Sequence, residues 1–209
     1  MSEKTMQEMD FSTEEKIKNA ARIVFQEKGL AAARTRDIAE EAKVNLALLN
    51  YYFRSKEKLF EIVMYETLSN FAKGIIEILN NENTTLEQKI ELLVAKYSDM
   101  LSNEPNIPIF ILSEIRNRPE DLFKKLPVRQ VWSNSVIVHQ LSEKAASGKI
   151  AEKNISQLLM NLLGLIIVPY VGKPFIMALG GFCEQQFTTL MQERKDLIPI
   201  WMRDMMNED

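Results

Sequence analysis

The chain is expected to fold as an all-α protein in two parts, a small N-terminal unit of short helices and a larger C-terminal helical bundle. Three observations carry this. Apolar residues recur at helical spacing throughout. Strand signals are nearly absent, with no Asn-Gly or Asp-Gly hairpin turn and no sustained alternation. Cap pairs and Gly or Pro breaks divide the pattern into helix-length pieces.

The first helix is expected to begin at Ser12, with Glu15 three residues on as a capping box. Its stripe is Ile17, Ala20, Ala21, Val24 and Phe25, and Gly29 ends it. Thr35 opens a short helix over 36–42. Lys43-Val44-Asn45 joins it to a second short helix over 46–52, and Ser55 caps a longer one. Thr85 with Gln88 caps a helix to about Leu101. Pro105 and Pro108 break the chain before a helix over 109–116. Pro119 and Pro127 each suit a first helical position, the second starting a helix to about Ala146 that Ser147-Gly148 ends. Asn154 with Gln157 caps a helix to Val168, stopped by Pro169. Pro174 begins a last long helix to about Lys195, and Pro199 kinks or restarts a short tail.

Composition excludes several classes. With 46% apolar and 26% charged residues over 209 positions, the chain is globular rather than disordered. One cysteine, Cys183, excludes an internal disulfide and a cysteine zinc cluster. One histidine, His139, excludes a His-pair metal site, so no metal is expected. No phosphate loop, Glu-x-x-His pair or Cys–His nucleophile pair occurs, so neither enzymatic activity nor a cofactor is expected. The N-terminus lacks a signal-peptide core. The longest apolar run, 162–171, is about half the ~20 residues a spanning helix needs. No membrane partner is expected, and a cytoplasmic location is.

The net charge of −3 is unevenly distributed. Residues 1–11 carry −2, residues 12–60 carry +3 and residues 61–209 carry −4. A basic segment on an acidic body suits one anionic partner.

Two short helices joined by three residues have the spacing of a helix-turn-helix, whose second helix enters the major groove. The joint needs small residues, which Ala39 and Ala47 supply. Ile38, Val44, Leu49 and Phe53 turn inward against Ile17, Val24 and Phe25, leaving Leu46, Ala47, Asn50 and Tyr51 outward. Thr35 and Lys56, near helix N-termini, suit phosphates. Arg36 reaches a base edge or a phosphate, and Asn50 pairs with adenine. Spacing alone equally admits a three-helix packing unit with a polar surface.

The residues add more. The run from Thr35 to Phe60, with Thr35, Ile38-Ala39, Tyr51-Tyr52-Phe53 and Ser55-Lys56-Glu57-x-Leu59 at their mutual distances, closely resembles the N-terminal signature of the TetR family of bacterial transcriptional regulators. The preceding Ala20–Gly29 segment is similar to the family's first helix. The resemblance spans roughly residues 12–63. It departs at Lys43, where the family commonly has glycine, and at Asn50, where many members carry tyrosine. It implies a flexible tail over 1–11, a DNA-binding domain over 12–63, and an effector-binding and dimerisation domain over 64–209. It further implies a homodimer on a palindromic double-stranded operator, its recognition helices about 34 Å apart, that a small-molecule effector releases as a repressor.

By position, the resemblance places Thr35, Tyr51 and Lys56 on phosphates and Arg36, Leu46, Ala47 and Asn50 near bases, with Asn45 capping the recognition helix. Phe110, Phe123, Trp132, Val136 and His139 lie on segments that line the family's effector pocket, and Trp132, Val136 and His139 lie on one face by the i, i+4, i+7 rule. A lone histidine there is more often a satisfied core or surface residue than a ligand contact. The dimer interface, through the last two long helices, is expected at Leu158, Leu162, Ile166, Phe175, Leu179 and Phe182, with Gly180-Gly181 allowing close helix approach. The alternatives are a helical protein-binding adaptor and a bundle enzyme without DNA binding.

Overall fold

The computed structural model describes residues 3–117, 120, 128–148 and 155–207. Among them every regular element is a helix, and the chain divides into two compact units.

The first unit comprises residues 1–71 and 109–111. Helix α1 (Glu3–Ala32) begins well before Ser12. Lys4, Met6, Gln7 and Glu8 are good helix formers with no breaker ahead of Ser12, so that serine caps nothing. Gly29 interrupts α1 at φ 69°, ψ 169°, and one further helical turn follows. Helix α2 (Thr35–Glu41) is preceded by Arg34, making Thr35 its first residue rather than its cap. The Asp37 carboxylate accepts from the Arg34 N–H at 3.3 Å and from Lys28 Nζ at 2.9 Å. Lys28, followed by the Arg34 N–H, holds that carboxyl below its ordinary range.

Helix α3 (Leu46–Tyr52) and the first part of α4 (Lys56–Leu79) complete the unit. Ile17, Phe25, Ile38, Leu49, Leu59 and Val63 are fully buried. Phe60 meets Phe25 edge-on at 5.0 Å and Phe110 at 5.7 Å, contacts worth about 0.5–1.5 kcal/mol each beyond burial. The buried Lys18 joins α1 to α4 through Glu66 at 2.7 Å, with Glu15 beside it at 2.5 Å. Burial opposes its charge, but the two carboxylates outweigh burial and raise its pKa.

The second unit comprises residues 72–108 and 112–209. It holds the end of α4, α5 (Leu86–Asn103), α6 (Ile107–Asn117, apart from 109–111), α7 (Val128–Ser133), α8 (Val136–Ala146), α9 (Ile155–Val171), α10 (Lys173–Gly180) and α11 (Glu184–Asn207). The Thr85–Gln88 capping box forms reciprocally, at 2.9 and 3.2 Å. Pro119, Phe123, Pro127 and Asn154 lie outside the described residues.

Four of the expected helix limits change. The helix expected over 127–146 is two, because Ser135 is extended and its buried hydroxyl donates to the Trp132 carbonyl at 2.6 Å. Pro169 does not stop α9. It leaves the Leu165 carbonyl without a helical donor, and Arg194 of α11 fills the gap at 2.9 Å. Gly180-Gly181 does not lie within a helix: Gly181 sits at φ 64° and ends α10. Helix α11 runs unbroken through Pro199 to Asn207. It packs chiefly on α5, antiparallel, pinned by Lys195–Asp99 at 2.5 Å and Arg203–Glu91 at 3.6 Å.

Among the described residues no single helix is long and apolar enough to cross a membrane.

Candidate nucleic-acid interface and ligand cavity

The turn between α2 and α3 is built from the backbone. The Lys43 N–H donates to the Glu40 carbonyl at 3.1 Å and the Val44 N–H to the Ala39 carbonyl at 2.9 Å. These are the two bonds of a Schellman motif, which places the residue after the cap in the left-handed region. That residue is Lys43, at φ 55°, the only non-glycine with positive φ among the described residues. The side chain there costs of order 1 kcal/mol relative to glycine. Asn45 then caps α3, its Oδ1 accepting from the Leu48 N–H at 2.8 Å.

With both ends fixed, α3 buries Leu49 and leaves Ala47, Asn50 and Tyr51 exposed, with Leu46 half-buried. Tyr51 is 75% exposed and braced edge-on by Tyr52 at 5.3 Å. An exposed carboxamide and a phenol on one short helix can reach a base edge and a phosphate. Arg36 is exposed and Thr35 half-buried on α2.

Two expectations are corrected here. Ala47 is exposed, so it does not fill the joint, and Val44 is only half-buried. The close approach uses the buried Ala39, whose carbonyl accepts from Val44. Lys56, half-buried, is engaged within the chain. It donates to the Leu30 carbonyl at 2.8 Å and the Ala33 carbonyl at 2.9 Å, closing the orphan end of α1 beyond the Gly29 break. Arg34, Arg54 and Lys58 are further exposed cations beside these helices. Arg54 directly precedes the Ser55 cap, whose Oγ accepts from the Lys58 N–H at 3.1 Å. A cation immediately before a helix cap was the available signal.

The second unit encloses a cavity of about 960 Å³. Its described lining comes from α4, α5, α7, α8, α9 and α11 and includes no charged side chain; Tyr97, Gln130 and Trp132 carry the polar groups. Burial pushes the Tyr97 phenol above its ordinary pKa, so it stays protonated.

Of the expected effector residues, Trp132 lines this cavity. Phe110 instead packs on Phe60 in the first unit's core. His139 is exposed, and Val136 is not in the lining, because the break at Ser135 removes the shared face with Trp132. Leu158, Leu162 and Ile166 also move: they are buried inside the second unit and line the cavity, so they present no free dimer face. Periodicity revealed that their stripe was apolar, not which partner covered it. Phe175 and Leu179 are 70% and 77% exposed, and Phe182 is half-buried.

Residues 17–63 match the family model of the bacterial regulatory proteins of the tetR family. The chain is 25% identical over 174 residues to the Bacillus subtilis protein named "Probable HTH-type transcriptional regulator YttP", covering 80% of this chain and 82% of that one. It is 26% identical over 136 residues to the fatty acid metabolism regulator protein of the same organism, covering 65% and 70%. Among solved structures it resembles the transcriptional regulator FadR from Bacillus subtilis in complex with stearoyl-CoA, with a TM-score of 0.58 and 23% identity over 87% of this chain and 95% of that one. Residues 17–63 are thus similar to the bacterial regulatory proteins of the tetR family, and most of the chain is similar to transcriptional regulators.

Proposed function

We propose that the protein is a homodimeric repressor that binds a palindromic operator and is released by a ligand carrying a long hydrocarbon chain. The observation that carries the DNA half is the outward display of Ala47, Asn50 and Tyr51 on a helix fixed by the Lys43 turn and the Asn45 cap. In this reading Asn50, Ala47 and Leu46 read base edges, while Thr35, Arg36, Tyr51 and the exposed Arg34 and Arg54 position the backbone. Lys56 serves through the helix end it holds.

The ligand half is supported by a large cavity with apolar walls, which suits an uncharged chain because a charge enclosed there would lack a partner. The regulator FadR, which this chain resembles, binds stearoyl-CoA. The self-association half is supported by apolar side chains left in water on the last helices, Met160, Val168, Phe175, Leu179 and Ile200. A ligand that favours a different recognition-helix spacing lowers DNA affinity by the ratio of its affinities for the two states.

Selection from a random duplex library, followed by titration, tests the reading. The expected result is a palindromic site bound with a log affinity that falls with log salt at a slope of roughly −4 to −7, for two to four cationic contacts per subunit. Arg36→Ala should weaken binding and flatten that slope without changing the melting temperature. Stearoyl-CoA should release the site. Affinity that ignores ionic strength would overturn the DNA assignment, and a stearoyl-CoA complex that holds operator equally well would overturn the effector assignment.

A further inference from the structure

We infer that Lys43, the left-handed residue of the α2–α3 turn, is a phosphate contact that positions the recognition helix on DNA. The inference rests on the DNA-binding reading above and adds to it a residue outside the displayed face of α3.

The turn itself has no need of a lysine. Its two backbone bonds, from the Lys43 N–H to Glu40 and from the Val44 N–H to Ala39, would form equally with glycine. At φ 55° glycine is the residue that bears no steric penalty. The Lys43 side chain returns nothing to the fold. It is exposed, and among the described residues its ammonium makes no hydrogen bond and no ion pair. Other lysines of this unit are engaged: Lys28 holds Asp37 at 2.9 Å, and Lys56 holds the carbonyls of Leu30 and Ala33. A strained residue that stabilises nothing within its own chain points to a role outside it.

Position gives that role its chemistry. Lys43 stands three residues ahead of Leu46, the first residue of α3, a span of at most about 11 Å. A helix whose N-terminal end is lodged in a major groove about 12 Å wide has a phosphate rail on either side. A lysine that close, on a flexible four-carbon stem, reaches a rail as a point charge. Its neighbours make that charge matter. Glu40 and Glu41 are exposed at the end of α2, and neither pairs with Lys43, so the ammonium offsets their repulsion of the same rail. Such a contact fixes register and adds affinity without reading sequence.

The experiment compares the full-length protein with its Lys43→Gly, Lys43→Gln and Lys43→Arg variants. Each is titrated, by fluorescence anisotropy, with the duplex selected from the random library and with a scrambled duplex of the same length, across roughly 0.05–0.3 M salt. Lys43→Gly and Lys43→Gln should each flatten the salt slope by about 2, one per subunit, and weaken operator binding roughly 60-fold at 0.1 M salt. The scrambled duplex should weaken with it, leaving the preferred sequence unchanged. Lys43→Gly should lose this affinity while its melting temperature does not fall, which separates lost binding from lost folding. Lys43→Arg should keep the wild-type slope. An unchanged slope in Lys43→Gln overturns the contact, whatever Lys43→Gly does, and leaves the DNA-binding reading standing. A wild type that binds neither duplex overturns both.

Discussion

The two units solve opposite problems. The first must hold three side chains of a seven-residue helix in one place, and it does so with a filled aromatic core and polar ties between its segments. Lys18, Lys28 and Lys56 each bind an acceptor on another segment, and Asn45 fixes the helix that follows it. The second keeps about 960 Å³ of its interior open, and places polar ties at the turn before α5 and at the proline gap in α9 instead. Rigid presentation needs many ties around a small core, whereas an adaptable container needs long helices pinned at a few points. The same substitution should therefore behave differently in the two places.

The largest contrast is in the cores. Phe25→Ala should destabilise the protein by about 3–5 kcal/mol, since the ring is fully buried and contacts Phe60. Leu162→Ala should fall below the roughly 2–5 kcal/mol of a packed leucine, because its side chain already borders empty space. Chemical denaturation reads both, and equal losses would mean that the cavity collapses in solution.

Next is Lys56→Ala, expected to destabilise by about 1–3 kcal/mol through the carbonyls of Leu30 and Ala33 that it leaves unpaired. Operator affinity should fall with the melting temperature, in contrast to Arg36→Ala. If Lys56→Ala weakens DNA binding at unchanged stability, its ammonium is a phosphate contact after all.

The smallest effect is at the turn. Lys43→Gly relieves a left-handed side chain worth about 1 kcal/mol, and the melting temperature should rise by about 2–4 °C. No rise would mean that glycine's extra freedom in the unfolded chain cancels the relief.

Much of the first unit was legible because its signals are local. A helix-turn-helix of seven-residue helices depends on nearest neighbours, so Asn45, Ser55, Gly29 and the buried Ile17, Phe25, Ile38 and Leu49 were readable from spacing. The bonds of Lys56 were not legible because its acceptors lie more than twenty residues away. In the second unit Pro169 and Pro199 were read as breaks, since sequence shows the missing donor but not the Arg194 guanidinium that fills the place beside Leu165.

By itself the sequence determined the helical class, the position of the short paired helices and the chemistry of their outer face, because periodicity, caps and turn residues act within a few positions along the chain. Only the tertiary structure decided which apolar stripe faced what. Leu158, Leu162 and Ile166 line a cavity and Phe110 fills a distant core, while Phe175 and Leu179 remain in water. Hydrophobic attraction has no direction, so a stripe states that it must be covered and leaves its partner to the packing of the whole chain.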